Sequence, residues 1–148
     1  MNIRILKTLS SFFLFIFLSN ELLADQGISS DQVLIGMHTD ISGPASMIGK
    51  QSVDGANMRF KEFNENGGAF GRTIKLIVED HQYTVPRAVQ AANKLLRKDK
   101  VAFMMGALGT PMNNAVMTDQ LAMNVPNLFP LTAARSMFDP FDRLKFTS

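Results

Sequence analysis

Apolar and polar positions alternate between two rhythms from Val33 onward. Val33-Leu34-Ile35-Gly36-Met37 is a short unbroken apolar run, followed by the Gly/Pro/Ser-rich stretch Asp40-Ile41-Ser42-Gly43-Pro44-Ala45-Ser46. A run with no polar alternate has no solvent face, so it predicts a strand of a parallel sheet, buried on both sides. The rhythm then changes. Val53, Ala56, Phe60 and Phe63 recur at spacings of three and four, which places them on one face of a helix over residues 49–65. Asn66-Gly67-Gly68 ends that helix, because glycine takes the left-handed conformation a helix C-terminus calls for.

The same alternation repeats along the chain. Arg72–Asp80 reads as a second strand, with Ile74, Leu76 and Val78 alternating against more polar neighbours. Thr84 and Pro86 open a second helix to about Lys98, with Val85, Val89, Ala92 and Leu96 as its inner stripe. Val101–Gly106 is a third strand, and Thr110 is expected to cap a helix over 111–123 with Pro111 in its first position. Asn127–Leu131 predicts a fourth strand with Pro130 at its end, and Arg143–Thr147 a fifth. The order βαβαβαβ predicts an α/β fold, an open and mostly parallel sheet with helices on both faces. The last strand runs into Ser148 with no helix after it, so the sequence reads as the truncated front part of a longer protein.

Residues 1–24 follow a different pattern. Arg4 and Lys7 give a positive start, Phe12–Leu18 is wholly apolar, and Leu22-Leu23-Ala24 ends on a small residue. This is the three-part layout of a secretory signal peptide. A membrane anchor needs roughly 20 apolar residues, and the run here ends at Ser19, Asn20 and Glu21. A buried N-terminal core helix is the third reading. Cleavage after Ala24 would leave an exported domain of residues 25–148 with a net charge of +1.

Composition narrows the function classes. A chain of 148 residues is about one domain. With 46% hydrophobic and 19% charged residues it is not a disordered chain. A net charge of +2 offers no field to gather nucleic acid. The absence of cysteine excludes a disulfide scaffold, a thiol nucleophile and a thiolate metal site. His38 and His81 are the only histidines, and satisfied structural roles are expected for both. Glu79 and Asp80 are adjacent, so on a strand they point to opposite sides and make a poor acid/base pair. Gly67-Gly68-x-x-Gly71 lies between helix and strand, a turn rather than a phosphate loop, and Gly106-Ala107-Leu108-Gly109 lacks the dinucleotide-binding spacing. Met104, Met105, Met112, Met117 and Met123 read as core filler. No catalytic constellation emerges, so an enzyme is not expected.

In an open parallel sheet, ligands sit outside the carboxyl ends of the strands. Three loops leave those ends: Asp40–Gly49, Gly106–Thr110 and Thr132–Arg135. All are rich in small residues that let backbone N–H groups approach a ligand. Thr110 also stands at a helix N-terminus, where free N–H groups and the helix dipole favour an anion such as a carboxylate.

V-L-I-G-M…D-I-S-G-P-A-S-M-I-G-K, V-D-G-A…F-N-E-N-G-G…G-R-T-I-K-L-I-V-E-D, P-R-A-V-Q-A-A-N-K-L-L, F-M-M-G-A-L-G-T-P and V-P-N-L-F-P-L-T-A-A follow one another in that order. Together they resemble the type I periplasmic binding proteins, in the leucine/isoleucine/valine-binding branch that serves branched-chain amino-acid ABC transporters. The resemblance covers nearly all of residues 30–148. It implies a two-lobed clamshell that closes on a solute, with this chain supplying most of the first lobe. It implies that Leu108, Gly109 and Thr110 with Thr132, Ala133 and Ala134 hold the ligand's polar groups, and that Ile48 stands where an aromatic can face the ligand. Ala134 falls where the family often has a hydroxyl residue. The implied role is an extracytoplasmic, periplasmic receptor for an amino acid or related small polar solute. It would deliver that solute to a membrane ABC permease, with no cofactor and no catalysis. A ligand-sensing domain of a receptor or regulator is the alternative on the same fold.

Overall fold

The structure is a computed structural model that describes residues 26–147. The segment read as a signal peptide lies outside the described residues. Five strands are formed: β1 (Gln32–Thr39), β2 (Thr73–Asp80), β3 (Phe103–Met105), β4 (Asn127–Leu128) and β5 (Lys145–Phe146). They pair in the order β2-β1-β3-β4-β5, and every pair is parallel. The helices are α1 (Ser46–Glu65), α2 (Val85–Asn93), which runs on into a π turn at Lys94–Lys98, and α3 (Thr110–Ala122).

The strand order fixes the layers. The chain steps one way from β1 to β2, then crosses back over β1 to reach β3 and continues to β4. With right-handed crossovers, that reversal puts α1 on one face of the sheet and α2 and α3 on the other. In agreement, α2 packs on α3 and on β1 and β2, whereas α1 meets β2. The expected fold class, with helices on both faces, is the one observed.

The two faces are packed unequally. The buried cluster Ala92, Leu95, Leu96, Val101, Met104, Val116 and Val125 lies between the sheet and the α2/α3 layer, with Leu34, Ile77, Val89 and Met123 around it. Truncating one of its leucines to alanine costs about 2–5 kcal/mol in a core of this kind. The expected stripe Val53, Ala56, Phe60 and Phe63 on α1 is only half-buried, and Gly49 is the one fully buried residue of that helix. A Cβ on Gly49 would stand 1.8 Å from the Asp40 carbonyl oxygen, so α1 rests its backbone directly on the end of β1.

All three helices end alike. Gly67, Lys100 and Asn124 take left-handed φ angles of 98°, 52° and 57°. The next N–H then reaches back, Gly68 to Phe63, Val101 to Leu95 and Val125 to Gln120. This closure satisfies carbonyls that the helix leaves open.

Several expected boundaries shift. Helix α1 begins at Ser46, a turn earlier than its apolar stripe suggests. Val85 is exposed, and the buried positions of the second helical segment are Ala88, Ala91, Ala92, Leu95 and Leu96. The π turn accounts for the last pair: its wider bond, Asp99 N–H to the Lys94 carbonyl at 2.9 Å, turns adjacent leucines inward together. Strands β3 and β4 are shorter than their apolar runs. Gly106 and Phe129 have left-handed φ and break the pleat. Of the five methionines read as core, Met104, Met112 and Met117 are buried and Met105 and Met123 partly so.

The turn from α1 to β2 contains an avoidable strain. Ala69 and Arg72 exchange both backbone hydrogen bonds around Phe70 and Gly71, whose φ angles are 53° and 82°. Phe70 is 99% exposed and gains no packing there. This left-handed pair is the geometry that favours Asn-Gly. Phe70→Asn should therefore stabilise the fold by about 1 kcal/mol. Thermal unfolding should show this as a rise of about 4 °C, and an unchanged or lower midpoint would contradict the account.

Candidate functional site

Because every strand points the same way, the segments that follow β1, β2, β3 and β4 all emerge at one edge. Two carboxylates shape the first of them. Asp40 is fully buried, and its oxygens accept the Gly43 N–H at 2.6 Å and the Ala45 N–H at 2.7 Å. Asp80, at the end of β2, accepts the Ile41 N–H at 2.9 Å, the Ser42 hydroxyl at 2.6 Å and the Gln82 N–H at 3.0 Å. Burial pushes the Asp80 carboxyl up, but these donors together outweigh it and hold the group below the usual carboxylate range.

The two threonine loops meet. Leu108 pairs with Leu131 in an isolated parallel bridge. The Gly109 N–H donates to the Leu131 carbonyl at 3.1 Å, and the Leu131 N–H to the Ala107 carbonyl at 2.9 Å. The Thr110 and Thr132 hydroxyls lie 2.5 Å apart and share a hydrogen bond, while the Ala134 N–H donates to Thr132 Oγ1 at 3.2 Å. Leu108, Gly109 and Thr110 are thus side by side with Thr132, Ala133 and Ala134 on one rim. Ile48 is 52% exposed on the first turn of α1, at the same end of the sheet, and no hydrogen bond joins it to either threonine loop.

One expected detail is corrected. Gly109, at φ 95°, is the N-cap of α3, with Thr110 and Pro111 the first two helical residues. Thr110 does not cap its own helix. Its hydroxyl turns sideways to Thr132 instead. The helix start is tied down by Asn113, whose side-chain amide donates to the Ala107 and Gly109 carbonyls at 2.9 Å each. The first turn of α3 keeps backbone N–H groups with no acceptor within the helix.

The histidines differ from each other. His81 is buried with both nitrogens partnered, Nε2 at 3.1 Å from the Leu108 carbonyl and Nδ1 accepting the Tyr83 N–H at 3.0 Å. Burial lowers its pKa, while the Leu108 carbonyl, Asp40 and Asp80 oppose that shift. His38 departs from the expected satisfied role. It is fully buried, and neither ring nitrogen has a partner among the described residues. Burial first, and the nearby His81 second, lower its pKa to about 3. The ring centroids are 5.6 Å apart.

Asp40, Asp80, His81 and Asn113 shape these loops; the sequence points to Asp40 only as the start of the first loop, to Asp80 only as half of a poor acid/base pair and to His81 only as a structural histidine, and it assigns no role to Asn113. Asp40 could have been found by its spacing three residues before Gly43, the geometry of a side chain that caps a turn. Asn113, four residues after Gly109, could have been found as a helix-start residue able to reach back.

Residues 32–139 match the family described as periplasmic binding proteins. The chain is 30% identical over 102 residues to the Leu/Ile/Val-binding protein BraC3 of Rhizobium johnstonii, covering 69% of this chain and 27% of that protein. A substrate-binding periplasmic protein from Ralstonia solanacearum superposes with a TM-score of 0.73 at 26% identity, over 78% of this chain and 33% of that one. A fatty acid ABC transporter substrate-binding protein from Thermomonospora curvata gives 0.65 at 25% identity, over 74% and 28%. The chain spans about a quarter of the length of the curated relatives it matches.

The unpartnered His38 has a measurable consequence. The unfolded chain takes up its proton near the ordinary value of 6.5, and the folded protein only at about 3. The folded state therefore binds fewer protons below pH 6.5. Stability is complete above that pH and is lost as the pH falls, by on the order of 3 kcal/mol at pH 4. His38→Met removes the orphaned ring and should be neutral or stabilising at pH 7, since a buried polar group without a partner stabilises nothing. Urea denaturation at pH 7, 5.5 and 4 should show a much flatter pH dependence for the variant. Parallel curves for both proteins would refute this.

Proposed function

The chain belongs to the periplasmic binding protein family, and from that premise we propose that it is a non-catalytic lobe for capturing a small solute outside the cytoplasm. The supporting observation is the hydroxyl pair Thr110–Thr132 beside the start of α3. The one hydroxyl proton that the pair does not spend on itself and the backbone N–H groups of the first turn of α3 form a cradle for a carboxylate without a full positive charge, and the helix dipole adds to it. Leu108, Gly109, Thr110, Thr132, Ala133 and Ala134 carry no ionisable side chain, so the cradle binds by dipoles and hydroxyls alone.

The solute class follows from the same residues. Ala134 offers a methyl group where a hydroxyl would hold an amino group, and Ile48 offers an aliphatic wall. The names of the relatives include branched-chain amino acids and a fatty acid, which share a carboxylate on an aliphatic body. The proposed ligand is accordingly an amino acid or related aliphatic carboxylate. Capture would work by closure of a facing lobe, because a solute that touches both lobes only in the closed form shifts the population to it. Delivery to a membrane ABC permease and residence in the periplasm complete the reading.

Two experiments test it. Calorimetric titration should be run with L-leucine, L-alanine and isovalerate on the protein with any coding sequence that continues beyond Ser148. Binding should be detectable, and Thr110→Ala and Thr132→Ala should each weaken it about tenfold while leaving thermal unfolding within a few degrees, as expected for loss of one hydrogen bond to a charged group. Undiminished affinity in both variants would sink the assignment of these loops. Separately, export in a bacterial host should yield a chain whose first residue is Asp25. Recovery of an uncleaved chain in the cytoplasm would overturn the export reading.

A further inference from the structure

The Leu108–Gly109 peptide plane is gripped at both ends. Its N–H, on Gly109, donates to the Leu131 carbonyl at 3.1 Å. Its carbonyl, on Leu108, meets Nε2 of His81 at 3.1 Å. Because Nδ1 of the same ring accepts the Tyr83 N–H, the proton sits on Nε2 and the neutral imidazole donates to Leu108. A peptide unit is planar, so two grips fix its orientation. The next plane is held in turn by Asn113, whose side-chain amide and backbone N–H donate to the Gly109 carbonyl at 2.9 and 3.0 Å, and the two planes together set the direction in which the Thr110 N–H leaves the loop.

The grip depends on a strained turn. Gln82 and Tyr83 have φ angles of 50° and 54°, a conformation disfavoured for residues with a Cβ. The turn brings the Tyr83 N–H to the His81 ring and lays the Tyr83 ring against Gly109. A Cβ on Gly109 would stand 3.1 Å from Tyr83 Cε2 and 3.5 Å from Cζ. Strain of this kind persists only where the surroundings over-determine it. Here Asp80 anchors the turn through the Gln82 N–H, and Thr84 closes it onto the His81 carbonyl at 2.9 Å.

We propose that His81 and Tyr83 are positioning residues for the solute loop, His81 by orienting the Leu108–Gly109 peptide and Tyr83 by walling the flank beside Gly109. This rests on the reading of Leu108–Thr110 as the loop that meets solute. The titratable groups that face His81 are His38 and Asp40 from β1 and its following loop, Asp80 from β2, and Tyr83 from its own turn. Residues 106–113, the loop after β3 and the first turn of α3, carry no ionisable side chain. Protonation of Nδ1 would turn an acceptor into a donor against the Tyr83 N–H; burial lowers the His81 pKa from its ordinary value, so the positioning is complete at neutral pH and weakens only at a pH below the ordinary histidine range.

The test uses His81→Asn, His81→Gln and Tyr83→Leu. Asparagine keeps an acceptor for the Tyr83 N–H, two residues on, but falls short of Leu108. Glutamine extends an amide donor back toward it. Nitrogen NMR of wild-type His81 should show the proton on Nε2 at pH 7. Amide exchange of Gly109 should speed up about tenfold in His81→Asn and recover in His81→Gln, with the amides of β1 and β2 unchanged. Tyr83→Leu, at a partly exposed site, should fold normally and also weaken L-leucine binding severalfold. A proton on Nδ1, or Gly109 exchange unmoved in His81→Asn, overturns the proposal. So does faster exchange with unaltered L-leucine affinity. If wild-type protein binds neither L-leucine nor isovalerate, the receptor reading fails, and the tautomer and exchange results still decide whether His81 orients the loop.

Discussion

A parallel strand pair cannot be closed by a short turn; the chain must travel back along the sheet before it can pair again. In this protein the first three returns are helices and the fourth, from β4 to β5, is a long loop with a single 3-10 turn at Arg135–Met137, and each departure is made from the same edge. That constraint is what gathers Asp40–Ala45, His81–Thr84, Gly106–Gly109 and Phe129–Ala134, segments distant in sequence, onto one rim. Strand β1 adds the second condition. The chain passes to one side of it and then to the other, and this reversal of strand order is the point at which the loops of an open parallel sheet diverge.

The rim is built from buried polar groups that hold backbone rather than from groups that project outward. Asp40 and Asp80 spend their oxygens on main-chain N–H groups and one serine hydroxyl. His81 and Asn113 take the carbonyls of residues 107–109. Loops so tied approach a ligand in one shape, which reduces the ordering cost of binding. This arrangement also explains why the proposed solute site carries no obvious chemical motif: the residues assigned to it are glycine, alanine, threonine and leucine.

The alternation of rhythms made the topology legible, and the placement of the three small-residue loops followed from it. What the apolar pattern reports, however, is burial and not hydrogen bonding. Val101 belongs to the apolar run before β3, yet it is buried as the closing residue of the α2 segment, not as part of a ladder. Phe129 and Pro130 look like strand residues, but a left-handed φ at Phe129 ends β4 early. The role of Thr110 was misjudged because its alternative partner, Thr132, is 22 positions away. The isolation of His38 was invisible for the same reason, since the absence of a partner depends on every element packed around the ring.

The unequal packing of the two faces bears on how the rim of the proposed site behaves. The wall formed by β3, β4 and α3 is backed by the dense cluster around Leu95, Leu96 and Met104 and should open only with global unfolding. The opposite side, at the start of α1 beyond the loop that Asp40 and Asp80 tie down, belongs to a helix whose single fully buried residue is a glycine. Its local opening free energy is correspondingly small. In the proposed site one side is a fixed template and the other compliant, so that a bound aliphatic body of greater girth would displace the start of α1 and not the threonine loops.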